Sequence, residues 1–99
     1  MIENAELLTP GFHYTMTLFV TGATRTSLVA VANVREFCEK ELAGNYDLEV
    51  VDLYRAPERA KTSQVIAAPT LLREEPQPPR RVIGDMSDLD NLRAAIKVI

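Results

Sequence analysis

Cysteine is nearly absent. Cys38 is the only one in 99 residues, so no disulfide can close within the chain. That excludes a disulfide-stapled secreted scaffold and makes a reducing, cytoplasmic compartment the expected location. Histidine is as scarce: His13 stands alone, and one imidazole without a neighbouring ligand does not make a zinc site. Gly22 and Gly84 are isolated, so neither a phosphate-cradling loop nor a dinucleotide fingerprint is present. The apolar runs are too short to span a bilayer. Met1-Ile2-Glu3-Asn4-Ala5-Glu6 carries acids where a secretory signal needs a basic region. Positive charge is also in deficit, with a net charge of −3 and a pI near 5.1, which argues against a nucleic-acid partner. Asp85, Asp88 and Asp90 cluster, but no nucleophile or histidine base accompanies them. Acids at a helix start meet the macrodipole favourably, which accounts for them. No catalytic residue, metal or cofactor is therefore expected.

What is present suits one small globular domain: 46% hydrophobic and 25% charged residues. Residues 1–13 show no period and contain the turn pair Pro10-Gly11, so they read as a flexible arm. Residues 14–99 read as the single domain. From Tyr14 to Thr21 apolar residues alternate with threonine until Phe19 breaks the pattern. This predicts a strand that becomes apolar on both faces, as an internal strand does. Thr24 or Thr26 is placed to cap the helix that follows. Over Ser27–Leu42, the residues Leu28, Val31, Val34, Cys38 and Leu42 fall within an arc of roughly 120°, with Phe37 outside it. Gly44-Asn45 stops the helix. Leu48 to Tyr54 reads as a second strand, parallel to the first through a right-handed crossover. Pro57 to Ile66 is a short helix candidate, ended by Ala67-Ala68-Pro69. Thr70–Glu74 and Arg80–Gly84 read as an antiparallel hairpin closed by Glu75-Pro76-Gln77-Pro78-Pro79. A rigid connection explains those prolines better than a polyproline ligand does. Ser87 or Asp85 is placed to cap a last helix from Asp88, with the stripe Leu89, Leu92, Ile96 and Ile99.

The order β-α-β-α-β-β-α, with a proline entering the third strand, is the thioredoxin arrangement: α/β, with a four-stranded mixed sheet and helices on both faces. The residue at that place, Pro69, is expected to follow a cis bond in this class. A thioredoxin-type redox enzyme needs a cysteine pair at the start of its first helix. Here the loop is Gly22-Ala23-Thr24-Arg25-Thr26-Ser27, which counts against that reading. Cys38, on the apolar stripe, reads as a core residue. Arg80-Arg81 suits a partner contact or a charged, protected edge strand equally.

Four segments carry a family resemblance: Leu18-Phe19-Val20-Thr21-Gly22, Val50-Val51-Asp52-Leu53, Ala67-Ala68-Pro69-Thr70-Leu71, and Arg80-Arg81-Val82-Ile83-Gly84-Asp85-Met86-Ser87-Asp88. With their spacing, they resemble the KaiB family from Tyr14 to Val98. The resemblance implies a non-enzymatic regulator of circadian rhythm. Such proteins bind a KaiC-type ATPase ring, sequester a KaiA-type protein and redirect clock histidine kinases. It also implies two folds, a thioredoxin-like monomer competent to bind and a tetramer with the C-terminal half rearranged. The partner-binding residues expected on this basis are Tyr54, Pro57, Glu58, Lys61 and Gln64.

The chain departs from the family pattern in four places. Its first loop has Gly22-Ala23-Thr24-Arg25 where members have Gly-Asn-Thr-Pro. Its second helix has Lys61-Thr62-Ser63-Gln64 in place of an acidic run. Glu49 replaces a lysine on the strand edge that serves KaiA, which counts against that partner. Ala95 and Lys97 stand where members carry Gly and Asp. Alanine favours a helix over glycine by about 1 kcal/mol, and a lysine near a helix C-terminus is favoured over an acid by about 0.3–1 kcal/mol. With Pro69, these residues form the expected fold-switch set, and they bias the protein towards a thioredoxin-like monomer. A stress-related adaptor that keeps the fold without the clock partners is the alternative, and a thioredoxin-like redox enzyme is a further one.

Overall fold

The computed structural model describes residues 13–65 and 67–98. The arm residues 1–12, Ile66 and Ile99 lie outside the described residues. The elements run β1 (Tyr14–Val20), α1 (Arg25–Phe37), β2 (Tyr46–Asp52), α2 (Glu58–Thr62), β3 (Thr70–Glu75), β4 (Arg80–Ile83) and α3 (Leu89–Ile96). The sheet order is β2-β1-β3-β4. β1 is parallel to β2 and antiparallel to β3, and β3 and β4 form the antiparallel hairpin. β1 is thus internal, which is why all of its residues but Thr15 are buried. The arginine pair lies on edge strand β4, both side chains exposed.

Alternation along β1 divides the core in two. Tyr14, Met16, Leu18 and Val20 face a large cluster shared with Ala30, Val34, Phe37 and Cys38 of the first helix and with Leu92 and Ile96 of α3. Phe19 points the other way, into a small cluster with Val51 and Leu72, against which Leu53, Ala56 and Val65 pack. Helices therefore cover both faces, α1 and α3 on one and short α2 on the other.

The core stripe of α1 differs from the one expected. Leu28 is 58% exposed, whereas Ser27, Ala30, Val34 and Phe37 are buried. With Cys38 these residues span an arc of only about 100°, its centre rotated by roughly 70° from that of the expected stripe. Phe37 thereby enters the core. The chain continues from Cys38 to Leu42 as a single π-helical turn. Its wider turn carries both Cys38 and Leu42 into the core. Thr24 is the N-cap, its Oγ1 accepting from Ser27 N at 3.2 Å. The helix end comes one residue earlier than Gly44-Asn45, at Ala43, which is left-handed at φ 46° and ψ 49°. That conformation is unfavourable for a side chain with Cβ. Ala43→Gly is expected to raise stability by about 0.5–1 kcal/mol in urea unfolding.

β2 begins and ends two residues earlier than expected. Its pairing with β1 stops at Val20–Asp52, and the Asp52 carboxylate then turns the chain by accepting from Tyr54 N at 2.9 Å. α2 ends at Thr62 and does not run on to residue 66. Gln64 N donates to Lys61 O at 3.2 Å and Val65 N to Ala60 O at 2.8 Å, a Schellman stop with Gln64 left-handed at φ 56°. The cap of α3 is neither Ser87 nor Asp85 but Asp88, whose Oδ1 accepts from Asn91 N at 3.0 Å. Asp85 Oδ1 accepts from Ser87 N instead, at 3.0 Å. Leu89, at the first helical position, is 43% exposed and so does not belong to the buried stripe.

α3 ends at Ile96, and Lys97 is already extended. Arg73 Nη1 donates to Ile96 O at 2.7 Å. Tyr14 Oη accepts from Val98 N at 2.9 Å and donates to Val98 O at 3.2 Å. Glu41, on the π turn, receives Arg93 at 3.0 Å and Lys97 at 3.2 Å. The Arg93 guanidinium, and after it the Lys97 ammonium, hold the Glu41 carboxyl below its ordinary value of 4.5. A lowered pKa means that this link contributes fully above the ordinary carboxylate range and is lost as pH falls through the shifted value. Glu41→Gln is therefore expected to lower Tm at pH 7. The gap to the parent protein should close in melts run at successively lower pH through the carboxylate range; a gap that stays constant with pH would refute the assignment.

Candidate partner-binding face

The five residues expected to bind a partner lie on and beside α2. The helix has no strongly apolar face of its own; it is seated by Ala56 before it and Val65 after it, packed over Phe19, Val51 and Leu72. Pro57 occupies the N-cap position with φ −64°, a value its ring already imposes. Two arginines fasten the element at its sides. Arg59 Nη1 and Nη2 donate to the two Glu49 oxygens of β2 at 3.1 and 3.0 Å. Hydrogen bonding to Arg59 lowers the Glu49 carboxyl pKa. Arg81 Nη2, from β4, donates to Ser63 O at 2.7 Å. Fixed in this way, α2 presents Pro57, Glu58, Lys61 and Gln64 outward, all exposed. Gln64 sits two residues past the helix end and not on the helix.

Tyr54 is 72% exposed, yet its position is defined. A Cβ on Gly22 would come within 3.0 Å of Tyr54 Cδ2, and Gly22 has φ +67°. The ring thus lies directly against glycine backbone that no other residue would leave open. Asp52 Oδ1 accepts from both Gly22 N and Tyr54 N at 2.9 Å, fastening the β1–α1 loop to the segment leading into α2. Asp52, Arg59 and Glu49 also build this face, a role that the sequence does not reveal: Arg59 finds Glu49 across ten residues and Asp52 finds Gly22 across thirty.

The remaining candidates lie elsewhere. Pro69 is buried at the entry to β3; the Ala68–Pro69 bond is cis, and Pro69 O accepts from Gly84 N at 3.0 Å. Ala95 is half-buried against the large core, and Lys97 holds Glu41. Cys38 is fully buried, and burial pushes its thiol up to about 12, far from the thiolate that redox chemistry requires. His13 is not isolated: its Nε2 lies 2.8 Å from Asp47 Oδ2. Among the described residues no helix is long and apolar enough to cross a membrane.

The mixed sheet, its covering helices and the proline at the entry to β3 define a thioredoxin-like fold. The N-terminal domain of Synechococcus elongatus SasA superposes with a TM-score of 0.67 at 20% identity, over 80% of this chain and 77% of that one. The Drosophila melanogaster thioredoxin Deadhead gives 0.67 at 14%, over 83% and 79%. Within that class, residues 17–98 match the KaiB domain, and the chain belongs to the KaiB family. Circadian clock protein KaiB3 of Synechocystis sp. is 32% identical over 82 residues, 83% of this chain and 80% of that protein. A circadian clock oscillator protein KaiB of Prochlorococcus marinus is 36% identical over 86 residues, 87% and 80% respectively. These relatives support a clock-related regulatory role.

Proposed function

We propose that the chain is a non-enzymatic binding module that acts on a KaiC-type ATPase ring, in the cytoplasm, through Tyr54, Pro57, Glu58, Lys61 and Gln64. The observation that carries this reading is the fixed, outward α2 face: a helix too short to be held by its own apolar residues is fastened from β2 and β4, with a 72% exposed tyrosine beside it. Exposed, preorganised aromatics are the usual anchors of protein interfaces. The test is titration of a KaiC-type ring, followed by sedimentation. Wild type should co-sediment with the ring, and Tyr54→Ala should weaken the complex by about tenfold or more. No binding by wild type would overturn the reading. A clock histidine kinase is the next partner to test, as a competitor for the same face.

The resting state belongs to the same proposal. Ala95 lies inside α3 and Lys97 Nζ reaches Glu41 at 3.2 Å, and both support a thioredoxin-like monomer as the resting form. Pro69 marks the start of the half that would rearrange. Ala95→Gly combined with Lys97→Asp should raise the population of a larger, rearranged species, read by diffusion and backbone shifts. Unchanged size and shifts would count against this mechanism. One observation favours the stress-adaptor reading: Glu49 is engaged by Arg59, so the β2 edge offers a neutralised acid where a KaiA-type partner would meet a lysine.

A further inference from the structure

Most cations of this chain either meet an acid or sit where a helix favours them. Lys40 pairs with Glu36 at 2.8 Å, Arg59 with Glu49 at 3.0 Å and Arg93 with Glu41 at 3.0 Å. Arg35 and Lys61 lie in the last turns of their helices, where the macrodipole favours positive charge. Among those that fit neither description, Arg73 is buried on two backbone carbonyls, Arg81 donates to Ser63 O and Arg80 stands exposed on edge strand β4; Arg25 and Arg55 are the other two. Both are exposed, and neither makes an ion pair among the described residues. Arg25 is the first residue of α1, and the first turn of that helix holds no acid. Its guanidinium stands at the positive end of the dipole, where a cation opposes the helix.

Large apolar side chains are left uncovered around these two arginines. Tyr54 is 72% exposed, Leu28 58% and Val29 36%. Leu28 and Val29 follow Arg25 by three and four residues and so share one side of α1 with it. Tyr54 precedes Arg55, its ring lies against Gly22 of the loop that leads into α1, and Asp52 Oδ1 fastens that loop to Tyr54 by accepting from both Gly22 N and Tyr54 N at 2.9 Å. Arg55 shares a surface groove with two acids, Asp52 and Glu49, and both are engaged: Asp52 Oδ1 by those two backbone amides and Glu49 by Arg59. This surface thus combines an aromatic ring, two aliphatic groups and two arginines that make no ion pair among the described residues, on a chain whose net charge is −3.

We infer that this patch docks an acidic protein segment bearing an apolar side chain. The segment's carboxylates meet Arg25 and Arg55, and its apolar group rests on Tyr54 and Leu28. Charge complementarity selects this occupant, since a basic segment would meet uncompensated like charge. The inference rests on the reading above only in sharing Tyr54, and it makes Arg25 a specificity-determining residue with no part in holding the fold.

The experiment is a two-dimensional amide NMR titration of the full chain with three probes: a synthetic peptide alternating Glu and Leu, its Lys–Leu counterpart, and a single-stranded oligothymidine. The Glu–Leu peptide should shift amides within residues 22–29 and 52–55. Its affinity should fall with added salt and drop by about tenfold in Arg25→Glu. The same variant should melt no lower than wild type, since an acid at that position favours the helix. Shifts confined to other surfaces, or unchanged affinity in Arg25→Glu, would overturn the inference. So would tighter binding of the Lys–Leu peptide or the oligothymidine at the same amides. The KaiC-type ring then separates the two readings. Peptide binding at this patch without ring binding refutes only the KaiC proposal; ring binding by a protein that does not bind the Glu–Leu peptide refutes only the docking patch.

Discussion

Phe19→Ala is expected to lower the unfolding free energy by about 3–5 kcal/mol, the range for removing a buried aromatic ring. Phe19 has no exposed surface. It is the largest member of the small cluster beneath α2, with Val51 and Leu72 as its buried neighbours. So small a cluster has few atoms that can move into the space. The loss is large beside the roughly 5–15 kcal/mol that holds a domain together. It should also be local before it is global. Amides of residues 58–65 should exchange faster than those of α1, because α2 rests on this cluster while α1 rests on the other. Phe19→Leu keeps most of the volume and should cost under about 1.5 kcal/mol. Equal protection loss in α1 and α2, in a Phe19→Leu protein that remains folded, would show that the two cores are not separable. Tyr54→Ala provides the contrast: a 72% exposed ring should alter binding and leave the midpoint of unfolding nearly unchanged.

The two-sided core is also the part of the fold that sequence reveals best. Alternation through Met16 and Leu18, broken by Phe19, states that β1 has two apolar faces, and the sheet places it internally. The order of elements and the parallel and antiparallel pairings follow from helix and turn spacing in the same way. What sequence conceals is how each helix is rotated. A stripe drawn through Leu28 is as regular as one drawn through Ala30, Val34 and Phe37, and only packing against Leu18 and Leu92 distinguishes them. Leu28 lies outside that packing, and the docking patch accounts for it. The π turn at Cys38–Leu42 has no breaker residue to announce it. The candidate face is half legible: Tyr54 and the outward α2 residues can be listed from the chain, but the pairs that hold them cannot. Arg59 meets Glu49 across ten residues and Arg81 meets Ser63 across eighteen, and no local period links such positions.

Arg73 is the most deceptive position, and its replacement carries the second large effect. In sequence it is one charge in a hairpin rich in charges; in the structure it is 3% exposed. Among the described residues it makes no ion pair. Nη1 donates to Ile96 O at 2.7 Å and Nη2 to Pro78 O at 2.6 Å, while Nε has no partner among the described residues. Burial lowers its pKa, and the neighbouring Arg80 lowers it further. A buried charge is costly to desolvate, and these two carbonyls offset part of that cost. Ile96 O supplies more than one acceptor, because it belongs to the end of α3, where the helix dipole is negative. The single planar fork therefore ties α3 to the β3–β4 turn. Arg73→Ala should cost about 2–4 kcal/mol, combining lost charge-assisted hydrogen bonds, two unsatisfied carbonyls and a void. Arg73→Lys keeps the charge but cannot span both carbonyls with one rigid group, and should recover less than about half of that loss. Urea unfolding measures both variants, and amide exchange at Lys97 and Val98 reports the freed end of α3. If lysine restored full stability, charge alone would suffice and the fork would be irrelevant. If alanine cost under about 1 kcal/mol, the two carbonyls would have found other donors and the tie between α3 and the turn would not depend on Arg73.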